Sequence, residues 1–218
     1  MNPPPRKLPW TVVIGLLLLV MTLALAFLLA DLKSRGALKA RLPVLGQVAD
    51  FNLTNQNNVA VTLGDLRGQV WAADIIFTRC PGPCARMTRQ MKELETALPP
   101  ESRAKLISLT TDPEFDTPAV LTMYATRFSA ETNRWTFLTG TKKEIGHLAI
   151  DSLKLSMVEK KPEERASDDD LFIHSTYIVL VDKHGQLRAV YHTDGEQADW
   201  TKSKQNILNA IKQLEHEP

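Results

Sequence analysis

Residues Gln69 to Thr78 (QVWAADIIFT) form a mostly apolar run rich in β-formers, and it leads directly into a loop that holds both cysteines of the chain. Such a run suits a central strand buried on both faces. Helical spacing resumes at once through Ala85, Met87, Met91, Leu94 and Leu98, and it stops at Pro99-Pro100. Strand, cysteine loop and helix in direct succession describe an α/β domain whose thiols open at the carboxyl end of an inner strand. That edge is where open sheets of this kind carry their chemistry.

The rest of the pattern extends this frame. Val48 to Leu53 and Val59 to Leu63 alternate around Asn-Gln-Asn-Asn as a strand pair would. Ala104 to Thr110 reads as a second inner strand, and Asp116-Thr117-Pro118 supplies a capped start to a helix ending near Arg127. Trp135 to Leu138 is a short strand and Thr141 to Leu153 a helix. Leu171 to Val181 and Leu187 to His192 form strands around the turn Asp182-Lys183-His184-Gly185. Asp199 to Leu214 closes the domain as an amphipathic helix. This order predicts a three-layer α/β domain, a thioredoxin-like core with an N-terminal β-hairpin extension.

Ahead of the domain, Trp10 to Ala30 is uncharged and almost wholly apolar, about the length that crosses a bilayer core as a helix. Ala24-Leu25-Ala26 offers a signal-cleavage pattern, but Phe27-Leu28-Leu29 continues the apolar run where a polar region should follow. The expectation is a leader over 1–9, an uncleaved anchor over 10–30, a linker over 31–45 and one domain over 46–218. Lys33, Arg35, Lys39 and Arg41 after the span outnumber Arg6 and Lys7 before it, and charge counting alone favours the opposite orientation. The very short leader without acidic residues, and thiol chemistry suited to an export compartment, instead favour a domain outside the cytoplasm. The formal net charge is +1, and no basic stripe interleaved with aromatics is present, which argues against a nucleic-acid partner.

Cys80 and Cys84 sit in Phe77-Thr-Arg-Cys-Pro-Gly-Pro-Cys-Ala-Arg-Met87 and are the only cysteines, so no larger disulfide framework exists. Pro81 favours an extended Cys80, Gly82 permits unusual backbone angles, and Pro83 suits a first helical position. Cys84 then falls in the first turn, where free N–H groups and the helix dipole favour a thiolate. Three intervening residues, against two in the thioredoxin signature, can spread two sulfurs around one ion or still close a disulfide. Two thiolates suit copper(I), and an added imidazole also accommodates copper(II). Zinc is compatible too, although a closed structural site wants a fourth ligand that the sequence does not offer. Of the five histidines, His147 falls in a helix, His184 in a turn, His192 at a strand end and His216 in the tail. His174 alone stands at a strand entry beside the cysteine loop. A histidine there is commonly a hydrogen-bonded structural residue, but the cysteine pair makes it the candidate third ligand.

The segment Gly68 to Thr88 around Phe-Thr-Arg-Cys-Pro-Gly-Pro-Cys resembles the Sco/SenC family of copper-handling assembly factors. Thr110-Thr-Asp-Pro-Glu-Phe-Asp-Thr-Pro118 and His174-Ser-Thr-Tyr-Ile-Val-Leu-Val-Asp182 carry the same resemblance in the family's order, which runs from about residue 45 to the end. It implies one copper ion, Cu(I) or Cu(II), held by Cys80, Cys84 and His174 in a membrane-tethered domain. It also implies a partner, subunit II of cytochrome c oxidase, whose dinuclear copper site is loaded or kept reduced, and an upstream copper donor or thiol reductant. With no mitochondrial-type leader evident, the expected place is a bacterial inner membrane with the domain in the periplasm.

Smaller features read plainly. Asp116 is expected to cap the following helix and Asp112 to fix the loop near the site, with no catalysis by either. Met87, at helical spacing with Met91 and Leu94, reads as core. Arg79 and Arg86 could meet a partner or a thiolate, and Glu159 to Asp170 reads as a solvated loop, or a flap that carries His174. Metallochaperone, thiol–disulfide oxidoreductase or redox sensor, and peroxidase are the competing functions. The Cys-Pro-Gly-Pro-Cys loop fits a peroxidase poorly, and a dithiol reductant has no need of an imidazole at 174. Copper handling is the favoured reading, more as a chaperone than as a turnover enzyme.

Overall fold

The computed structural model describes residues 9–34, 41–80, 82–167, 170–194 and 199–218. Residues 1–8 of the expected leader, 35–40 of the expected linker and Pro81 therefore lie outside the described residues. The chain divides into two compact units, Met1–Arg41 and Leu42–Pro218. Helix α1 (Trp10–Ser34) is the described part of the first, and within it Trp10–Asp31 is long and apolar enough to cross a membrane.

The second unit begins with β1 (Gly46–Gln47), β2 (Asn52–Asn55), β3 (Ala60–Thr62), a one-turn α2 (Leu63–Leu66), β4 (Trp71–Ile76) and α3 (Pro83–Ala97). It continues with β5 (Lys105–Thr110), α4 (Pro118–Arg127), β6 (Trp135–Thr139), α5 (Lys142–Gly146) and a π-helical turn over His147–Ser152. It ends with β7 (Met157–Glu159), β8 (Phe172–His174), β9 (Tyr177–Val181), β10 (Gln186–His192) and α6 (Trp200–His216). Eight strands form one sheet in the order β1-β10-β9-β4-β5-β6-β2-β3, with β4, β5 and β6 parallel and β9 antiparallel to β4.

All six residues of β4 are buried, as a strand covered on both faces requires. Its side chains alternate between two cores. Ala72 and Ile76 join Leu94 of α3, Leu121 of α4 and Ile207 of α6 on one face. Trp71, Ala73 and Ile75 join Ile145 of α5 and Leu148 of the π turn on the other. This is the expected three-layer arrangement, and β2 and β3 form the expected hairpin, docked on β6 through Thr54 and Asn55.

Three local expectations change. Leu171 to Val181 is not one strand. Ser175 and Thr176 separate β9, inside the main sheet, from β8, which pairs only with β7 in a separate two-stranded ribbon. The stretch read as a solvated loop thus begins as a strand, because Met157–Glu159 supplies β8 with its ladder partner, with Val158 opposite Ile173. The N-cap of α4 is Thr117, whose hydroxyl accepts from the Val120 N–H at 3.4 Å, and not Asp116. Asp116 is wholly buried and bonds elsewhere.

Candidate metal centre

Strand β4 delivers the loop and α3 receives it. Gly82 stands at the N-cap with φ −138° and ψ −104°, a pairing that suits a residue without Cβ, and Pro83 opens the helix. Cys84 follows in the first turn with 1% exposure, while Cys80 stays half-buried at the mouth. The backbone N–H of Phe77 points at Cys84 Sγ across 3.5 Å, so strand end and helix start close on the sulfur.

The ribbon β7–β8 brings the third group. His174 Nε2 lies 3.0 Å from Cys84 Sγ. Its Nδ1 faces the Ser175 carbonyl at 3.2 Å, a contact that places the proton on Nδ1 and leaves the Nε2 lone pair toward the sulfurs. The Phe77 ring meets the His174 ring edge-on at 5.9 Å and the Phe172 ring at 5.3 Å, which seats the ribbon over the cysteine loop. Reciprocal bonds between Ser156 and Ser175 fix its base: Ser175 N–H donates to the Ser156 carbonyl and Ser156 N–H to Ser175 Oγ.

The ligand atoms of Cys80, Cys84 and His174 all lie within 4.8 Å of one another. Donors roughly 2.3 Å from a shared ion stand about 4 Å apart, so a small side-chain adjustment closes the group on a metal. The other histidines are elsewhere. His147 pairs with Asp151, His184 faces the Pro218 carbonyl, His192 rests on Tyr177 and His216 faces the Lys212 carbonyl.

The two thiols are unequal, and in the opposite sense to the helix-dipole expectation. The hydrogen bond between the sulfurs holds the Cys80 thiol down at about 4 against its partial burial. Burial first, and the neighbouring Cys80 second, push the Cys84 thiol well above the usual thiol range. Loss of water around Cys84 outweighs the first-turn N–H groups, because desolvation acts on the whole charge and the dipole offers only a fraction of one. The metal-free pair therefore carries one thiolate, on the half-buried sulfur of Cys80, and one retained proton, on Cys84.

A carboxylate cage holds the loop. Asp116 accepts from the Thr78 N–H at 3.1 Å and from the hydroxyls of Thr78 and Thr110. Arg79 binds Asp112 at 2.6 Å and lies over the Phe115 ring at 4.1 Å. Asp112 thus fixes the loop as expected. Arg86 pairs with Asp194. Met87 is fully buried, as a core residue should be.

One residue near the site went unnoticed in the sequence. Asp74 lies within β4, fully buried on the Cys84 face; its Oδ1 accepts from Ser108 Oγ at 2.6 Å, itself held by Trp135 Nε1 at 3.0 Å, and its Oδ2 has no partner among the described residues. Burial pushes its carboxyl up to about 7. The available signal was a single acid inside an otherwise apolar strand, which costs free energy unless something requires it.

Fold and site together define a thioredoxin-like domain with a two-thiol, one-imidazole cluster at the carboxyl edge of its central strand. The chain belongs to the SCO1/SenC family, whose sequence model matches residues 44–209. It is 35% identical over 159 residues to the SCO1 protein homolog of Bacillus subtilis, covering 72% of this chain and 79% of that protein. A putative copper-binding protein of Stutzerimonas stutzeri is 30% identical over 67% of this chain and 70% of its own length. The solved structure of BsSco, a member of the Sco family of cytochrome c oxidase assembly proteins with a disulfide switch, superposes with a TM-score of 0.64. That match has 29% identity and covers 82% of this chain and 100% of BsSco.

Proposed function

We propose that this chain is a membrane-anchored copper chaperone that holds one copper ion through Cys80 Sγ, Cys84 Sγ and His174 Nε2 and serves assembly of the dinuclear copper site in cytochrome c oxidase subunit II. The convergence of two thiols and one imidazole within 4.8 Å carries the reading. The copper-binding relative and the oxidase-assembly role of the Sco family support it. Two thiolates hold copper(I), and the imidazole completes a site for copper(II). Binding requires loss of the Cys84 proton, which the metal's charge compensates. The anchor is residues 10–30, preceded by a leader over 1–9 and joined by a linker over 31–45 to a periplasmic domain over 46–218 at a bacterial inner membrane.

A second reading rests on the low-lying Cys80 thiol. A thiolate at the mouth can attack a disulfide in a partner, after which Cys84 displaces the mixed disulfide and leaves Cys80–Cys84 oxidised. The partner gains the two electrons as two thiols, and an upstream thiol reductant restores the pair.

Anaerobic copper titration of the reduced full chain in detergent tests the first reading. One copper per chain is expected, with little bound by the oxidised protein. Equal loading of both forms would rule out the thiolates. A reporter active only outside the cytoplasm, fused after Pro218, is expected to be active, and gene deletion should lower oxidase activity most when copper is scarce. Normal oxidase at limiting copper with impaired peroxide resistance would favour the redox reading.

A further inference from the structure

Asp74 is a buried acid that is neither a candidate ligand nor a brace of the cysteine loop. It stands in the middle of β4, opposite Ser108 of β5 in the parallel ladder, among otherwise apolar residues. Ala72 and Ile76, two residues to either side, pack in the core that also holds Cys84 and Tyr124. Oδ1 accepts from Ser108 Oγ at 2.6 Å, while Oδ2 is buried without a partner among the described residues. An unbonded carboxyl oxygen in a core costs free energy that an apolar residue at this position would not incur.

The polar groups around it are committed elsewhere. From β5, Ser108 gives its one hydroxyl proton to Oδ1, and from β6 Trp135 Nε1 donates to Ser108 Oγ at 3.0 Å. On α3, Thr88 donates to the Cys84 carbonyl at 2.8 Å, so the Tyr124 hydroxyl of α4 donates to Thr88 at 2.8 Å. Among the described residues no lysine or arginine bonds to Asp74, and no bond joins it to Cys80, Cys84 or His174. Its electrostatic neighbours are nonetheless those of the metal centre: His174 from β8, Cys84 from α3, and Tyr124, which also feels both thiols. Charges in a dry core act on one another with little screening. Burial pushes the Asp74 carboxyl up to about 7, which leaves its proton poised near neutral pH.

The variable charge in this core is the metal. Two thiolates and a neutral imidazole carry one net negative charge around copper(I) and none around copper(II). A carboxyl in the same core is therefore harder to ionise beside copper(I) and easier beside copper(II). We propose that Asp74 is a proton-linked selector of the copper oxidation state, keeping its proton while the centre holds copper(I) and releasing it when the centre holds copper(II). Uptake of copper(II) in place of copper(I) thus frees one additional proton, from Asp74 to solvent, and this linkage of binding requires no electron transfer. Ionised Asp74 favours copper(II), so the preference for copper(II) over copper(I) rises with pH. This inference rests on the copper reading.

The test loads the reduced full chain with copper in detergent and titrates it anaerobically against one-electron mediators, from about pH 5 to about pH 9. An opposite charge nearby moves a carboxyl by about one unit. The copper(II)/copper(I) affinity ratio should therefore rise about tenfold with pH, a fall in potential of about 59 mV. Asp74→Asn, which keeps an acceptor for Ser108, should flatten the profile. Ser108→Ala removes the bond that favours the ionised carboxyl and should move the rise to higher pH. Infrared spectra should show the carbonyl band of a buried, protonated carboxyl with copper(I), diminished with copper(II) and absent from Asp74→Asn. The metal-free protein should lose the same band as pH rises through about 7.

A flat wild-type profile overturns the proposal, as does a band that ignores the oxidation state of the copper. A profile unchanged in Asp74→Asn would assign the proton to another group, such as the buried Asp116, and also overturns it. If Asp74→Asn fails to fold, the wild-type profile and the infrared band decide. A wild type that binds no copper overturns the copper reading and this proposal with it, whereas bound copper with a flat profile overturns this proposal alone.

Discussion

Cys84 Sγ and His174 Nε2 meet at 3.0 Å across 90 residues of sequence, and the Phe77 ring and backbone N–H touch both sides of that contact. One thiol is fixed by a helix start inside the core, and the imidazole by a two-stranded ribbon outside the main sheet. A metal between them would join the start of α3 to the β7–β8 ribbon.

Removing either sulfur should abolish tight copper binding. Loss of groups that merely orient a ligand costs about 10- to 100-fold in metal affinity, so Cys80→Ser or Cys84→Ser should exceed 100-fold. His174→Ala should damage copper(II) far more than copper(I), which two thiolates can hold alone. The check is the copper(II) thiolate charge-transfer band, and an unchanged band in His174→Ala would remove the imidazole from the site.

The metal-free, reduced protein should alkylate at Cys80 and not at Cys84. With the Cys80 thiol held at about 4, its thiolate is present across the neutral range. Its reaction rate should therefore be nearly flat with pH between about 5 and 9, where an ordinary thiol gains roughly tenfold per unit. Peptide mapping after brief iodoacetamide treatment reads both rate and position. A rate that climbs steadily up to about pH 9 would contradict the assignment.

Asp74 should make the metal-free protein less stable as pH rises. Its carboxyl is pushed up to about 7 from an ordinary value of 3.8, so the unfolded chain ionises first and releases its proton more readily. Stability from this group is fully present below about 4, declines between about 4 and 7, and levels off above, a change on the order of a few kcal/mol. Asp74→Asn keeps an acceptor for Ser108 and removes the titration. Urea unfolding at both ends of that window should show a smaller difference in the variant than in the wild type.

Asp116→Ala should unfold the domain more easily, by about 2 to 4 kcal/mol, because the Thr78 N–H and the hydroxyls of Thr78 and Thr110 lose one shared acceptor. Asp116→Asn, which retains one acceptor oxygen, should cost less. Thermal unfolding measures both. Copper affinity should fall alongside, since Thr78 stands two residues before Cys80.

Much of this was legible in the chain because it is local. The apolar run through Trp71–Ile76, the proline at 83 and the spacing to Leu94 define strand, loop and helix without reference to any partner. The turn at Asp182 to Gly185 is of the same kind: Asp182 Oδ1 accepts the N–H groups of His184 and Gln186, and Gly185 adopts φ +76°. Such features follow from backbone sterics and side-chain reach within a few residues.

The rest depends on what the sheet brings together. Asp116 has the spacing of a helix cap, and only the adjacency of β4 and β5 offers it Thr78 and Thr110 instead. The run Leu171 to Val181 has no internal punctuation, so its break at Ser175 is decided by ladder partners: Met157–Glu159 for one half and β4 with β10 for the other. Likewise the first-turn position of Cys84 is written in the sequence, but its retained proton is not, since desolvation depends on the surrounding core. The residue types of the site and their order belong to the sequence; its charge state, and the reach of His174 to the thiols, are set by burial and strand pairing, which no short stretch of chain contains.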